Sequence, residues 1–340
     1  MADLCLADIK SFHLVCKRWR SIEFSGNRCR HMNQIPWLMI SNCHRRLTSS
    51  CTLIDPSSKK IHSIEIKGIN RFHDNIELCT TKFGWLLLSQ LRIALLDVLL
   101  DNVNFYTAFF LYSPFIGHRI DLPNLNSTFN VATFSSAPTS PDCVFFVFTD
   151  KLTISICRQG DKAWTSISLS VGFSPIKDVV YSKGMFYCST IRGGLGVFDV
   201  SQLSWSVLPE PNAIMDVPSF DYSSYMVGDE EEDQLLLVLV SNSRRWVLVH
   251  KLDRSEMKWV KVEELRDKSL FVSSGSTSIF VSFKNKRTEK VMNRIYYCMP
   301  SESPKFYSFK ASKSFKASGI YGDLTANESP NKFFWIEPPY

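Results

Sequence analysis

The stretch QLLLVLVSNSRRWVLVHKLDRSEMKWVKV, Gln234–Val262, carries the repeating pattern on which the fold depends. It consists of a strongly apolar run, a turn, a second apolar run, a polar turn and a third run that opens at Trp259. Short runs rich in β-branched and aromatic residues, bounded by turn residues, are typical of antiparallel strands. The stretch therefore predicts a small meandering sheet.

The same unit recurs at Cys143–Leu169 and Gly184–Leu208, where Trp164 and Trp205 open the third strand. In each unit the tryptophan follows the start by about 20–25 residues, which is the reach of three meandering strands. A repeated position inside each unit favours packing between units over ligand binding. We therefore expect Trp164, Trp205 and Trp259 to form a structural repeat core.

Weaker copies of the unit lie at Trp37–Ile66, Gly84–Pro123 and Arg294–Ser312. Units of about 40–50 residues, each a sheet that cannot bury both faces alone, predict a β-propeller. The sequence thus predicts a mostly β protein whose body, residues 37–340, has about six short-stranded repeats. Ser269–Phe283 is the hardest segment to assign to a blade. A pair of β-sandwiches would not explain the recurring tryptophan.

One tract, Leu88–Ala108, departs from the repeat. Its leucines recur at helical spacing where the repeat calls for a hairpin turn, so a helical insertion and a foreign segment both stay open. The longest apolar tract, Trp85–Leu100, is interrupted by polar residues and is too short to span a bilayer. We expect no membrane contact.

The positive charge is concentrated at the N-terminus. Residues 1–60 hold ten Lys and Arg against four acids, whereas the other 280 residues hold 29 of each sign. A general nucleic-acid-binding surface on the body is therefore not expected.

The ten cysteines include no CxxC pair and no signal peptide precedes them, which favours buried free thiols in a reducing compartment. A metal site built from Cys29, His31, Cys43, His44 and Cys51 would lack the spacing of a structural zinc module. The sequence predicts neither a metal nor a cofactor.

Three further motifs have simple structural interpretations. The glycines of Ile191–Asp199 lie between two strands and predict a hairpin turn with φ > 0 instead of a phosphate-binding loop. The acidic run Gly228–Gln234 and the basic run Lys284–Arg294 are typical of solvated loops.

Residues 1–23 predict an amphipathic helix ahead of the strands, followed by a linker over 24–36. Apolar side chains recur every three or four residues on one face of this helix, and cations including Lys10 and Arg18 take the other. A partner-binding helix, a cap on the propeller and an organelle-targeting helix all fit this pattern.

The same segment resembles the second half of an F-box. The match is dense over about 20 residues. Its positions are Leu6, Asp8, Ile9, Phe12, Val15, Cys16, Lys17, Trp19, Arg20 and Ile22.

The body resembles the domain of unknown function that follows the F-box in many plant proteins, often grouped with the kelch-type F-box proteins. The matching pieces appear in family order across almost the whole chain. They include FGWLLL (Phe83–Leu88), LYSPFIGHRIDLPNL (Leu111–Leu125), DVVYSKGMFY (Asp178–Tyr187) and FFWIEPP (Phe333–Pro339).

The resemblance implies a non-enzymatic adaptor of an SCF-type ubiquitin ligase. The F-box segment would dock on a Skp-family subunit, and the propeller would bind a protein target of unknown identity. Residues 1–23 match only the later helices of an F-box, so docking is expected to be weakened by the absence of the first helix. The adaptor would work in the cytosol or the nucleus.

Two other functions stay open. The chain could be a protein-binding scaffold without ligase function, located in the cytosol or an organelle. An enzyme with a site in the central channel is the third hypothesis, but no recurring His, Asp or Glu group supports it.

Overall fold

The computed structural model describes residues 35–41, 50–66, 76–93, 105–149, 152–169, 175–190, 193–208, 217–218, 221–229, 233–243, 245–275, 277–283, 289–299, 302–322 and 332–338. Over these residues the strands fall into six separate sheets. The innermost strand of each sheet contacts the innermost strands of both neighbouring sheets, which closes the sheets into a ring. The fold is a six-bladed β-propeller, so the prediction of a mostly β protein with about six repeats is confirmed.

Blades 2 to 5 are four-stranded antiparallel sheets whose strands follow chain order from the axis outward. Blade 2 contains β4 (Ile76–Lys82), β5 (Trp85–Ile93), β6 (Phe105–Ser113) and β7 (His118–Asp121). Blade 3 contains β8 (Phe129–Phe134), β9 (Val144–Thr149), β10 (Thr153–Arg158) and β11 (Thr165–Ser168). Blade 4 contains β12 (Ile176–Ser182), β13 (Met185–Thr190), β14 (Leu195–Asp199) and β15 (Ser204–Val207). Blade 5 contains β16 (Tyr222–Asp229), β17 (Gln234–Ser241), β18 (Val247–Asp253) and β19 (Lys258–Lys261).

Side chains become more exposed from the innermost strands at the axis to the outermost strands of each blade. Every residue of β9 is buried, because neighbouring blades cover both faces of the sheet near the axis. In the outermost strand β11, three of the four residues are exposed. This gradient explains why the apolar runs of the sequence mark second strands and the polar runs mark outer strands.

The tryptophan-bearing strand is the fourth strand of its blade and not the third, which corrects the sequence interpretation. Trp205 lies in β15 and Trp259 in β19, while Trp164 directly precedes β11. Each of the three sequence units therefore starts at or just before the second strand of its blade and leaves out the innermost strand.

The first and last parts of the tract Leu88–Ala108 form β-strands. Leu88–Ile93 completes β5, Phe105–Ala108 opens β6, and the two pair in register with Leu91 opposite Thr107. Residues 94–104 lie outside the described residues. The tract thus contributes to the hairpin between the second and third strands of blade 2.

Blade 1 joins the two ends of the described chain. It contains β1 (Trp37–Ser41), β2 (Ser50–Ile54) and β3 (Ile61–Glu65), and its innermost strand is β25 (Lys332–Ile336). Strand β25 pairs antiparallel with β1, from Trp37 opposite Ile336 to Ser41 opposite Lys332. This pairing closes the ring.

Blade 6 is irregular, which explains why Ser269–Phe283 was hard to assign. The strand order from the axis is β21, β20, β22, β23, β24, and β20 pairs parallel with β22. The innermost strand β21 therefore follows its neighbour β20 in the chain. The elements are β20 (Lys268–Ser273), β21 (Thr277–Ser282), β22 (Arg294–Tyr297), β23 (Lys305–Ser308), β24 (Lys313–Lys316) and the short helix α1 (Ser318–Tyr321).

Two innermost strands turn into their neighbours through two-residue loops. Phe83–Gly84 joins β4 to β5 and Lys183–Gly184 joins β12 to β13, with positive φ at all four residues. Positive φ at both central residues defines the type I′ turn, whose twist matches that of paired strands. The glycine in the second position makes each turn sterically easy.

The turn between the third and fourth strands repeats in blades 1, 4 and 5. An aspartate at the end of the third strand accepts a hydrogen bond from the backbone N–H of a serine two residues later. The distances are 2.8 Å for Asp55–Ser57, 2.8 Å for Asp199–Ser201 and 2.9 Å for Asp253–Ser255. Such Asx turns fix the direction of the chain as it enters the outermost strand.

Replacing Asp253 with asparagine is expected to lower the free energy of unfolding at neutral pH. The Ser255 hydroxyl and the backbone N–H groups of Glu256 and Ser255 hold the pKa of Asp253 below its ordinary value of 3.8. A carboxylate with a lowered folded-state pKa stabilises the fold above its unfolded pKa, and this stabilisation is lost as pH falls through the folded pKa. Urea unfolding of both proteins at neutral and acidic pH should show a difference that shrinks on acidification. A difference independent of pH would contradict the charge argument.

Six cysteines in the described residues are buried free thiols: Cys51, Cys79, Cys143, Cys157, Cys188 and Cys298. Burial raises the pKa of Cys51 and of Cys79 to about 12, which keeps both thiols protonated at neutral pH.

No helix in the described part of the chain is long and apolar enough to span a membrane.

Candidate functional site

The innermost strands converge on a cavity of about 110 Å³ at one end of the propeller axis. Every blade contributes to its lining, in most cases at or near the point where the innermost strand ends. We call this site the axial mouth. Its lining includes one polar residue from each blade, namely Lys82, Ser135, Tyr181, Asp229, Ser282 and Glu337.

A buried ion pair lies beside the axial mouth. Lys268 Nζ lies 3.0 Å from Asp229 Oδ2, and the side chains are 15% and 3% exposed respectively. The same ammonium lies 5.0 Å from the centre of the Phe280 ring. Asp229 is therefore buried in an ion pair with a residue of blade 6. It is not the solvated loop residue that the acidic run suggested. Removing either charge would leave the other buried without its partner, which is costly.

Two further charged residues line the mouth. The Glu337 carboxylate accepts a hydrogen bond from the backbone N–H of Phe83, which ties blade 1 to blade 2. Lys82 Nζ donates to the Phe134 carbonyl at 3.4 Å, which ties blade 2 to blade 3. The mouth thus presents charges of both signs on a frame in which neighbouring blades are linked.

Outside the mouth, Asp233 connects blades 4 and 5. Its carboxylate lies 2.9 Å from Lys183 Nζ and 3.4 Å from the guanidinium of Arg254. The hydrogen bond from Lys183 and the charge of Arg254 hold the pKa of Asp233 below its ordinary value. Lys183, Asp233 and Arg254 thus form a partly exposed ion-pair cluster between the two blades.

Buried polar contacts near the axis also join blades. Asp178 Oδ2 accepts the backbone N–H of Met226 at 2.7 Å, which connects blades 4 and 5. The Thr277 hydroxyl accepts the backbone N–H of Thr81 at 3.1 Å, which connects blades 6 and 2. These contacts hold the lining strands in fixed relative positions.

The repeat tryptophans contact the preceding blade. Trp164 Nε1 donates to the Pro123 carbonyl at 2.7 Å, and its ring lies edge-on to Phe109 at 5.6 Å. Trp259 Nε1 donates to the Gly193 carbonyl at 3.0 Å. Gly193 has φ of +84° in the turn before β14, as the hairpin interpretation of this glycine-rich segment requires.

Trp205 also contacts its own blade and the one before it. Its ring lies 6.2 Å from that of Phe148 in blade 3. Within blade 4 it covers Gly196, where a Cβ atom would lie 2.0 Å from the indole. All three tryptophans are thus in contact with the preceding blade, although Trp164 and Trp205 are only partly buried.

The ten residues of the F-box resemblance, Leu6 to Ile22, lie outside the described residues, as do the whole segment 1–23 and residues 24–34 of the linker. Of the metal candidates, only Cys51 is described. Within the described ranges, no group of three or more His, Cys, Asp and Glu side chains could hold a metal ion.

Sequence reasoning missed the axial mouth. Tyr181 does have a local signal, since it ends the apolar run of Val179 and Val180 shortly before a glycine turn. Asp229 was taken as part of an acidic loop, and nothing in the sequence links it to Lys268.

The described geometry defines a class: a β-propeller with a mixed-charge axial mouth and no metal-binding cluster among its described residues. The family model KIB1-4 beta-propeller matches residues 53–322. The chain belongs to this family.

Relatives that match most of this chain are F-box proteins of a plant. One F-box/kelch-repeat protein of Arabidopsis thaliana is 29% identical over 352 residues, covering 100% of this chain and 91% of the relative. A second F-box/kelch-repeat protein of this plant is 28% identical over 342 residues, covering 96% of this chain and 80% of the relative. An F-box protein of the same species is 25% identical over 360 residues, covering 96% of this chain and 68% of the relative. The predicted resemblance to plant F-box proteins is confirmed, and these relatives together with the propeller indicate a protein-interaction adaptor.

Proposed function

We propose that this chain is a substrate-recognition adaptor of an SCF-type ubiquitin ligase. Residues 1–23 dock on a Skp-family subunit, and the propeller binds the protein to be ubiquitinated at the axial mouth. The observation that carries the proposal is the alignment with F-box relatives from the first residues of the chain through the propeller.

The propeller suits this role because its blades are tied to one another around a mouth with charges of both signs. A rigid body holds a bound target at a fixed distance from whatever the N-terminal segment binds. Fixing two partners in this way raises their effective concentration without any chemistry by the adaptor. The proposal therefore assigns no catalytic residue to this chain.

The docking step can be tested with the full chain and a purified Skp-family subunit. We expect capture at micromolar concentration, weakened by about tenfold or more in Trp19→Ala, because buried tryptophans dominate interface energies. Lys10→Ala is the matched control, since Lys10 is predicted on the opposite helical face, and it should bind like the unmodified chain.

Absence of capture at micromolar concentration, or equal binding by Trp19→Ala and the unmodified chain, would contradict the docking proposal. The chain would then be a protein-binding scaffold without ligase function. A fluorescent fusion with a free N-terminus should report the cytosol or nucleus for a ligase adaptor. An organellar signal would instead favour the targeting interpretation of the basic helix.

A further inference from the structure

A second cavity, of about 350 Å³, lies between blades 2 and 3, away from the axial mouth. One wall is the connection after β7, which includes Asn124 and Asn126. The other is formed by the second, third and fourth strands of blade 3, including Thr149, Ser155 and Ser166, with Trp164 beside them. We call this cavity the inter-blade groove. It has no part in the proposed ligase role.

The walls of the inter-blade groove are fixed by hydrogen bonds. Leu125 and Thr107 exchange two backbone hydrogen bonds, at 2.7 and 2.9 Å, which hold the asparagine-bearing connection against β6. The Thr107 hydroxyl donates to the Ser127 carbonyl at 2.8 Å. Trp164 is fixed by its bond to Pro123 and its contact with Phe109. The groove is thus largely pre-formed, as small-molecule sites usually are.

The chemistry of the groove is polar but uncharged. Among the described residues that line it, none carries a charge; they are Asn, Ser and Thr together with Leu125, Ala163 and Trp164. Hydroxyl and amide groups both donate and accept hydrogen bonds. A charged ligand would find no counter-ion among these described residues and would lose hydration on entry.

The Thr149 side chain carries a buried hydroxyl group that makes no hydrogen bond within the described structure. It lines the groove, is only 2% exposed, and its hydroxyl has no hydrogen-bond partner among the described residues. An unsatisfied buried hydroxyl is costly, and one at a ligand site gains its partner when the ligand binds. Nearby, the Ser155 and Ser166 hydroxyls already bond each other at 2.8 Å and can each make further bonds.

We infer that the inter-blade groove binds a neutral sugar ring. A sugar offers many hydroxyl groups to the Asn, Ser and Thr side chains, and its C–H face can lie against the apolar surface of Trp164. The accessible residues Asn124, Asn126 and Ser166 would make the first contacts, because all three are exposed. Thr149 would bond a hydroxyl that reaches the floor of the groove.

The test is titration of the full chain with glucose, galactose and N-acetylglucosamine, and with the trisaccharides of each. Binding is followed by saturation-transfer NMR and by tryptophan fluorescence. At least one neutral sugar should bind in the millimolar range or tighter. Glucuronic acid and glucose 6-phosphate should bind about tenfold more weakly than their neutral counterpart, because the described lining of the groove offers no cation.

Two variants locate the binding. Ser166→Trp should fill the groove and abolish the signal, and Thr149→Val should weaken binding by about tenfold through the lost hydrogen bond. Thr165→Trp is the matched control, because Thr165 is exposed on the opposite face of the same strand. Its binding should equal that of the unmodified chain.

Three results with the sugars would overturn the inference. They are absence of binding by every neutral sugar tested, equal binding by Ser166→Trp and Thr165→Trp, or preference for the charged sugars. Binding of a neutral Ser- and Asn-rich peptide in place of the sugars would also overturn it and would assign the groove to a protein partner.

Discussion

Replacing Trp335 with alanine is expected to lower the free energy of unfolding by about 3–5 kcal/mol, as for other fully buried tryptophans. Trp335 lies in β25, the strand that closes the ring, and its side chain is fully buried. Its Nε1 donates to the Val272 carbonyl of blade 6 at 3.1 Å. Its ring lies edge-on to Phe271 at 5.3 Å and tilted to Tyr321 at 5.3 Å. Alanine would leave a cavity at the joint between the first and last blades, and the Val272 carbonyl would keep only its hydrogen bond from the backbone N–H of Cys298.

Urea unfolding measures the effect, and two further variants divide it. Trp335→Phe keeps much of the aromatic contact but loses the N–H donor, so it should cost roughly 1–2 kcal/mol. Phe315→Ala removes an aromatic side chain of the outermost strand β24 that is 38% exposed, and should cost about 1 kcal/mol or less. Equal losses for Trp335→Ala and Phe315→Ala would contradict the assignment of β25 to the closing position.

The blade repeat could be predicted from the sequence because a strand that is buried on both faces consists of consecutive apolar residues. Such a run can be recognised in the local sequence. Every position of β9 is buried, and its six residues form a single run of Val, Phe and Thr. The outer strand β15, with the sequence SWSV, is mostly exposed and lacks such an apolar run. A pattern of this kind needs no knowledge of which blades are neighbours.

Ring closure could not be predicted in the same way. Strand β25 pairs with β1 from the other end of the chain, and the run KFFWI does not identify its partner. The irregular order of blade 6 was missed for a related reason, since β20 and β21 read as an ordinary hairpin whichever of them lies at the axis.

The axial mouth was missed because its pairs join different blades. Asp229 ends β16 and Lys268 begins β20, and only the ring brings the two together. The local signal at Asp229, a run of acids, pointed instead to solvent. By contrast, the aspartate turns at Asp199 and Asp253 use serines two residues away, so they were available in the sequence as a repeated Asp-x-Ser motif.

Replacing Gly275 with alanine is expected to lower the free energy of unfolding by about 2–5 kcal/mol, through an unfavourable backbone conformation and a steric clash. Gly275 lies in the turn between β20 and β21 and has φ of +80°. A Cβ atom there would lie 2.6 Å from the Cys79 carbonyl oxygen and 3.3 Å from that of Leu78. Both contacts are backbone atoms of β4 in blade 2, which a side-chain rotation cannot relieve.

Gly184→Ala is the matched control for this prediction. Gly184 also has a positive φ, of +85°, but a Cβ atom there meets nothing within 4 Å. It should therefore show only the backbone penalty, about 1–2 kcal/mol. The difference between the two variants in urea unfolding then isolates the contact between the blade 6 turn and β4. This contact lies next to the hydrogen bond from the Thr81 backbone N–H to Thr277, so displacing β4 would also disturb that link. Equal losses for the two variants would show that the turn does not pack against blade 2.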